Sequence, residues 1–260
     1  MKIFQSFVRA TKNMSPLDLF FFSMSFPMRK IRRYRDGRAL AKENSLGDRF
    51  TLIYDRNMWG SKESASGSGS TLEMTVSIRT LLPELLQNFQ IKSIFDAPCG
   101  DFNWMQFVDL GSVTYVGGDI VEDLIDLLNA RYSNGNRSFL RFDITNQIFP
   151  DCDLVLIRDC FFHFSFEDIF LTFTNFLNSK SKFLLSTSHE NDSNFINTDI
   201  RSGDFRLLDL FSYPFNFSPN YHFQIPEQGE GSAPRRKLYL WDHYQVSAAS
   251  KNLEKFLRGL

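Results

Sequence analysis

The chain is poor in cysteine, with only Cys99, Cys152 and Cys160 among 260 residues. The number is odd and no C-x-x-C pair occurs, which argues against a disulfide framework and a structural zinc site and fits a reducing cytoplasm. Net charge is almost absent, at −1. The protein as a whole is therefore no electrostatic trap for nucleic acid, and no stable nucleic-acid partner is expected. No apolar run reaches the ~20 residues that a spanning helix needs. The run LDLFFFSMSFPM, Leu17 to Met28, is short and broken by Asp18. The start MKIFQSFVRATKN turns polar again too soon for a secretory leader. Histidine is scarce, with four copies. No His/Asp/Glu cluster shows metal-ligand spacing, so no metal is expected. No internal repeat is present.

What charge there is falls unevenly. Residues 1–47 hold ten Lys or Arg against three Asp or Glu, bunched at RKIRRYRDGR, Arg29 to Arg38. Such a run is either a solvated helix face or a contact for an anionic surface or a phosphate-bearing substrate. Behind the apolar run, it would suit peripheral contact with a membrane surface, against the plainer reading of packing on the main domain. We read residues 1–58 as a basic, partly helical extension and residues 59–260 as the functional domain.

The rest of the chain alternates. The stretch SKESASGSGS, Ser61 to Ser70, has a linker's composition, yet Ser70-Thr71-Leu72-Glu73 fits an S-x-x-E capping box opening a helix. Leu72, Val76, Leu82, Leu85 and Phe89 would form that helix's apolar face, with Pro83 kinking or restarting it. IKSIFD, VTYVGGD, SFLRFD, DLVLIRD and KFLLSTS read as short buried strands. VEDLIDLLNARY and SFEDIFLTFTNFL read as amphipathic helices between them. KLYLWDHYQV reads as a late strand and ASKNLEKFLRGL as a terminal helix. Alternating strands and helices predict an α/β fold, a doubly wound, mostly parallel sheet with helices on both faces.

Ligands of such sheets bind beyond the carboxyl ends of the strands. Four successive strands end on acids there: Asp96, Asp119, Asp143 and, after Arg158, Asp159. Turn and cap preferences explain one or two of these, less readily four. Asp119 follows Asp96 by 23 residues, the separation at which a dinucleotide-type fold grips ribose hydroxyls. The G-x-G-x-x-G of nicotinamide-binding sheets is missing from APCGDFNWM, which argues against an oxidoreductase.

IFDAPCGDFNWM, YVGGDI, RFDI and LVLIRDCFFHF, in that order, resemble motifs I to IV of class I S-adenosylmethionine-dependent methyltransferases, over residues 70–190. The family's glycine-rich turn D-x-G-x-G-x-G keeps only its middle glycine, Gly100, with Pro98 and Phe102 at the outer positions. The resemblance implies a Rossmann-like methyltransferase fold and S-adenosyl-L-methionine as cofactor. It puts Asp96 near the methionine amino group, with Ala97 beside it in the turn. Gly100 would let the backbone approach the cofactor. Asp119 would take the ribose hydroxyls and Ile120 pack on the adenine; Asp143 would accept from the adenine amino group, with Ile144 beside it. Asp159 would flank the methionine moiety. The Gly/Ser loop would fold over the site, with Trp59 as a wall and Ser66 to Ser70 supplying amides.

A hydroxyl acceptor needs its proton removed. The candidate catalytic residues are His163 and His189, after the fourth and fifth strands, and Asp159. RDCFFHF stands where enzymes acting on nucleobase amino groups carry (N/D)PP(Y/F), which argues against that class. The C-terminal third mixes Asn, Asp, Ser and Arg with aromatics, which suits a small-molecule or carbohydrate acceptor such as a sugar or nucleotide-sugar. Arg235 and Arg236 would serve a phosphate. NMWGS with its later Ser/Gly run also resembles methyltransferases of surface-polysaccharide pathways. The alternatives are a catalytically inactive, methyltransferase-like binding subunit and an RNA or protein methyltransferase.

Overall fold

A computed structural model describes residues 35–259 apart from 193 and 228–234. The basic run's first half and the apolar run 17–28 lie outside the described residues. The chain divides into two compact units, Met1–Asn44 and Ser45–Leu260. In the first, residues 35–40 are helical. The second takes in Ser45–Met58 from the stretch read as an extension. Among the described residues no helix is long and apolar enough to cross a membrane.

The second unit opens with helix α1 (Leu46–Asp55), whose N-cap Ser45 accepts from the Asp48 amide at 3.0 Å. Then come α2 (Val76–Asn88), β1 (Ser93–Asp96), β2 (Thr114–Asp119), α3 (Glu122–Tyr132) and β3 (Arg137–Arg141). β4 (Leu154–Ile157), α4 (Phe166–Leu177), β5 (Phe183–His189), β6 (Phe223–Pro226), β7 (Arg236–Asp242) and α5 (His243–Leu257) complete it. The seven strands form one sheet in the order β3-β2-β1-β4-β5-β7-β6. The first five run parallel. β7 is antiparallel to both its neighbours, so β6 points the same way as the first five. This is the doubly wound Rossmann-like sheet that the alternation predicts.

Two apolar layers flank the sheet. One joins Phe95, Val155, Ile157 and Trp241 to the phenylalanines of α4 and to α5. The other joins Ile94, Leu154, Leu156 and Leu240 to α2 and α3. Central strands buried on both faces must be apolar throughout, which is why LVLI shows no alternation.

Three local expectations change. Thr75, not Ser70, is the N-cap of α2, and it makes no side-chain cap bond. The Ser70 amide that a capping box would join to Glu73 instead donates to the Gly67 carbonyl at 3.1 Å, and the Leu72 amide donates to Glu63 Oε1 at 2.6 Å. The buried face of α2 is Ile78, Leu82, Leu85 and Leu86; Val76 is exposed, and the helix runs on through Pro83. His243 to Val246, read as strand, begins α5, because Asp242 and Gln245 form a capping box there.

Strand order turns between β1 and β4, opening a crevice beyond their carboxyl ends. Gly118 lets β2 close on this edge: a Cβ there would stand 2.8 Å from the Phe95 ring and 3.0 Å from Phe142 Cβ. Gly118→Ala is expected to cost about 1–3 kcal/mol through overpacking. Urea unfolding checks this; a midpoint equal to the parent's would contradict it.

Candidate active site

The crevice holds a cleft in two lobes that share Trp59, Pro98, Asp119 and Asp159. One lobe, of about 470 Å³, is apolar, walled by Phe50, Ile120, Phe142, Ile144 and Phe164, with Asp119 and Asp143 at its edge. The other, of about 540 Å³, is polar, lined by Asp96, Asp101, Ser66, Ser70 and Arg158 among others.

Asp119 stands at the junction. Its Oδ2 accepts from the Gly100 amide at 3.1 Å and its Oδ1 from the Val121 amide at 3.1 Å. Both amides hold the carboxylate still and leave further lone pairs for donors in the cleft. Burial nonetheless lifts its pKa to about 6. Asp96 lies deeper, with the Tyr115 hydroxyl donating to Oδ2 at 2.7 Å. Burial raises it to about 7, against the hydroxyl and the Arg158 guanidinium. Asp143 Oδ1 is taken by the amide and hydroxyl of Thr145, and Oδ2 makes no hydrogen bond among the described residues.

The Gly/Ser segment is a strap. Asp101, two places past the Pro-Cys pair, accepts from the Ala65 amide at 2.7 Å and from the Ser64 and Ser66 hydroxyls at 2.9 and 3.1 Å. Its own amide donates to Ser66 Oγ at 3.0 Å. Asn103 donates to Glu63 Oε1 and to the Ser70 carbonyl, both at 3.0 Å. The Ser66 and Ser70 amides are spent on Ser64 Oγ and the Gly67 carbonyl, so those two do not serve a ligand. Gly100 lines the polar lobe. It sits at φ +55°, and a Cβ on it would fall 2.1 Å from Ser66 Oγ. The glycine makes room for the strap.

Beneath the strap lie four charges, Arg158 and Glu227 buried, Asp159 and Arg236 half-buried. Glu227 accepts Arg158 Nε at 2.6 Å and Arg236 Nε at 2.8 Å. Arg236 Nη2 reaches Asp159 Oδ2 at 3.0 Å, and Arg158 Nη2 donates to the Gly69 carbonyl at 2.7 Å. Burial pushes Asp159 up, but both guanidiniums outweigh it and hold its pKa below the usual carboxylate value. Arg236, read as a phosphate ligand, is turned inward as a structural counter-ion, and Asp159 is an engaged anion rather than a base. Glu227 had no signal in the sequence.

The two histidines separate. His163 lines the apolar lobe. Its Nδ1 lies 2.8 Å from the Asp204 carbonyl. A carbonyl only accepts, so Nδ1 carries the proton and the Nε2 lone pair is left free. Burial lowers its pKa, favouring the neutral form. Arg206 braces the His163 turn: its guanidinium donates to the Phe161 and Phe164 carbonyls, and its amide to the Phe162 carbonyl. His189 is buried, with the Leu208 amide donating to its Nδ1 at 3.2 Å, and it does not line the cleft. Of the expected residues, Trp59, Ser70, Asp96, Gly100, Asp119, Ile120, Asp143, Ile144, Asp159 and His163 meet around the cleft. Ala97 lies buried just behind it. Leu46 and Phe50 of α1 join the wall unforeseen.

No protein-family model and no curated protein matches the chain. Solved structures do. Magnesium protoporphyrin IX methyltransferase from Synechocystis PCC 6803 aligns over 76% of this chain and 98% of its own, at TM-score 0.49 and 10% identity. Human N-acetylserotonin methyltransferase aligns over 80% and 66%, at TM-score 0.47 and 12% identity. PH0226 from Pyrococcus horikoshii OT3 aligns over 67% and 93%, at TM-score 0.44 and 18% identity.

Two outcomes are expected. Asp101→Ala removes the strap's charged anchor, worth about 1.5–3 kcal/mol. Trypsin should then cut after Lys62 about tenfold faster or more, and an unchanged rate would refute the anchor. Asp96 and Asp119 bind protons more tightly folded than unfolded, so their contribution to stability falls as pH rises from about 4 to about 7. Asp96→Asn should flatten that fall in urea titrations; an unaltered slope would contradict the assignment.

Proposed function

We propose that the chain is an S-adenosylmethionine-dependent methyltransferase that methylates an oxygen of a small acceptor. The observation that carries this is the two-lobed cleft with Asp119 fixed at its junction. An apolar lobe edged by acceptors fits an adenosine, and a polar lobe floored by Asp96 fits an amino-bearing, cationic tail. Ile120, Phe142 and Ile144 would hold the base and Asp143 Oδ2 would accept from its amino group. Asp119 would receive the ribose hydroxyls. The cofactor supplies a methyl group already activated as a sulfonium. The protein then has to align the acceptor and withdraw its proton. His163 has the required form, neutral with a free Nε2, in the wall of the same cleft. α1 and the strap exclude water from above. The polar and aromatic C-terminal third favours a sugar-like acceptor within this reading.

Calorimetry with S-adenosylmethionine tests the site. Asp119→Ala should weaken binding tenfold or more, as expected for the loss of ~1.5–3 kcal/mol of charged hydrogen bonding. Equal affinity would sink the proposal. His163→Ala should leave cofactor affinity intact and lower kcat by about 10²–10⁴. In the parent the acid limb of the rate profile should lie below the ordinary imidazole value of about 6.5. A limb at or above it would remove His163 as the base.

A further inference from the structure

Two aromatic side chains pack on the His163 ring. Trp59 packs on it at 5.7 Å between ring centroids and Phe205 packs on it at 5.7 Å as well. Phe205 is held by Phe162 at 5.5 Å, yet it is 59% exposed; Trp59 is 37% exposed. Exposing two large rings beside a histidine with a free nitrogen costs apolar burial that neither ring regains within the described chain. The loop carrying Phe205 is also fixed to the histidine's own turn. The Gly203 amide donates to the His163 carbonyl at 2.7 Å and the Arg206 amide to the Phe162 carbonyl at 3.0 Å. Phe205 and the base are therefore carried on one clamped unit.

The charge that lines the cleft beside Trp59 and His163 is mostly of one sign. Both lobes together are lined by Asp96, Asp101, Asp119, Asp143 and Asp159 against a single cation, Arg158, already held by Glu227. An anionic group entering here would meet carboxylates and no unengaged guanidinium of the lining.

We propose that Trp59 and Phe205 are the acceptor-binding residues and that the acceptor is an uncharged ring bearing a hydroxyl, presented to His163 by stacking of its apolar face. This rests on the methyltransferase reading and narrows its acceptor away from nucleotide-sugars. A phenol and a neutral sugar ring share this chemistry, since each offers an apolar face that can lie on an aromatic ring, the phenol its π face and the sugar its axial C–H face, with hydroxyls at the rim.

The test uses the full chain with catechol, methyl β-glucoside and UDP-glucose. Cofactor binding is measured first, by calorimetry; its absence would refute the methyltransferase reading itself. With S-adenosylhomocysteine present, a neutral ring should quench tryptophan fluorescence and UDP-glucose should not; Trp59→Phe should remove the quenching. In transfer assays with labelled cofactor, catechol or the glucoside should accept methyl, and which one does identifies the source. Phe205→Ala should raise KM for it about tenfold, the scale of one lost aromatic contact, with cofactor affinity unchanged. Phe205→Tyr should restore the parent KM and separates lost stacking from a disturbed loop. Cofactor binding together with transfer to UDP-glucose alone, to none of the three, or with KM unaltered in Phe205→Ala would overturn the inference.

Discussion

Four mutually compensating charges set the limits within which the rest of the site is built. Burying a lone carboxylate or guanidinium is costly, and breaking such a group by removing one partner leaves an uncompensated charge. Glu227 bridges Arg158 and Arg236, and Arg236 closes on Asp159. They come from three strand ends. Arg158 and Asp159 follow β4, Glu227 follows β6, and Arg236 opens β7. They meet only because β7 runs antiparallel: its first residue, not its last, pairs with His189 at the carboxyl end of β5. The antiparallel strand thus delivers a cation to an edge at which the parallel strands deliver acids.

The same cluster reaches upward. Arg158 donates to the Gly69 carbonyl and lies over the Trp104 ring at 5.4 Å. Together with Asp101 it fastens the Ser61–Ser70 segment from below and from the side. A sequence of small, flexible residues is suited to this. Serine hydroxyls both donate and accept, and Gly100 leaves the volume that Ser66 fills. The strap and α1 line the cleft beside Asp119, whose burial raises its pKa to about 6.

Sheet class and cleft position were legible from the chain, since both depend on local periodicity and on acids recurring at strand ends. Asp96, Asp119 and Asp143 carry that signal. Helix starts were read less well. Ser70 looks like a cap because S-x-x-E is a local pattern, but its amide is held by the Gly67 carbonyl and its carbonyl by Asn103, and the helix starts later, at Val76. Val76 was placed on the buried face by its type, whereas α2 packs through Ile78 and Leu86, a rotation set by the sheet beneath it.

The sequence by itself determined the order of strands and helices and the row of carboxylates at their tips, because these follow from spacing between near neighbours. Only the tertiary structure decided which charges stay engaged and which groups face the cleft. Arg236 and Glu227 became partners, Asp159 their counter-ion. His189 was closed in by Leu208, while His163 was turned by the Asp204 carbonyl to leave one nitrogen free. Each outcome depends on a contact between residues distant in the chain, and the energy of burying a polar group is set by whichever partner the fold brings to it.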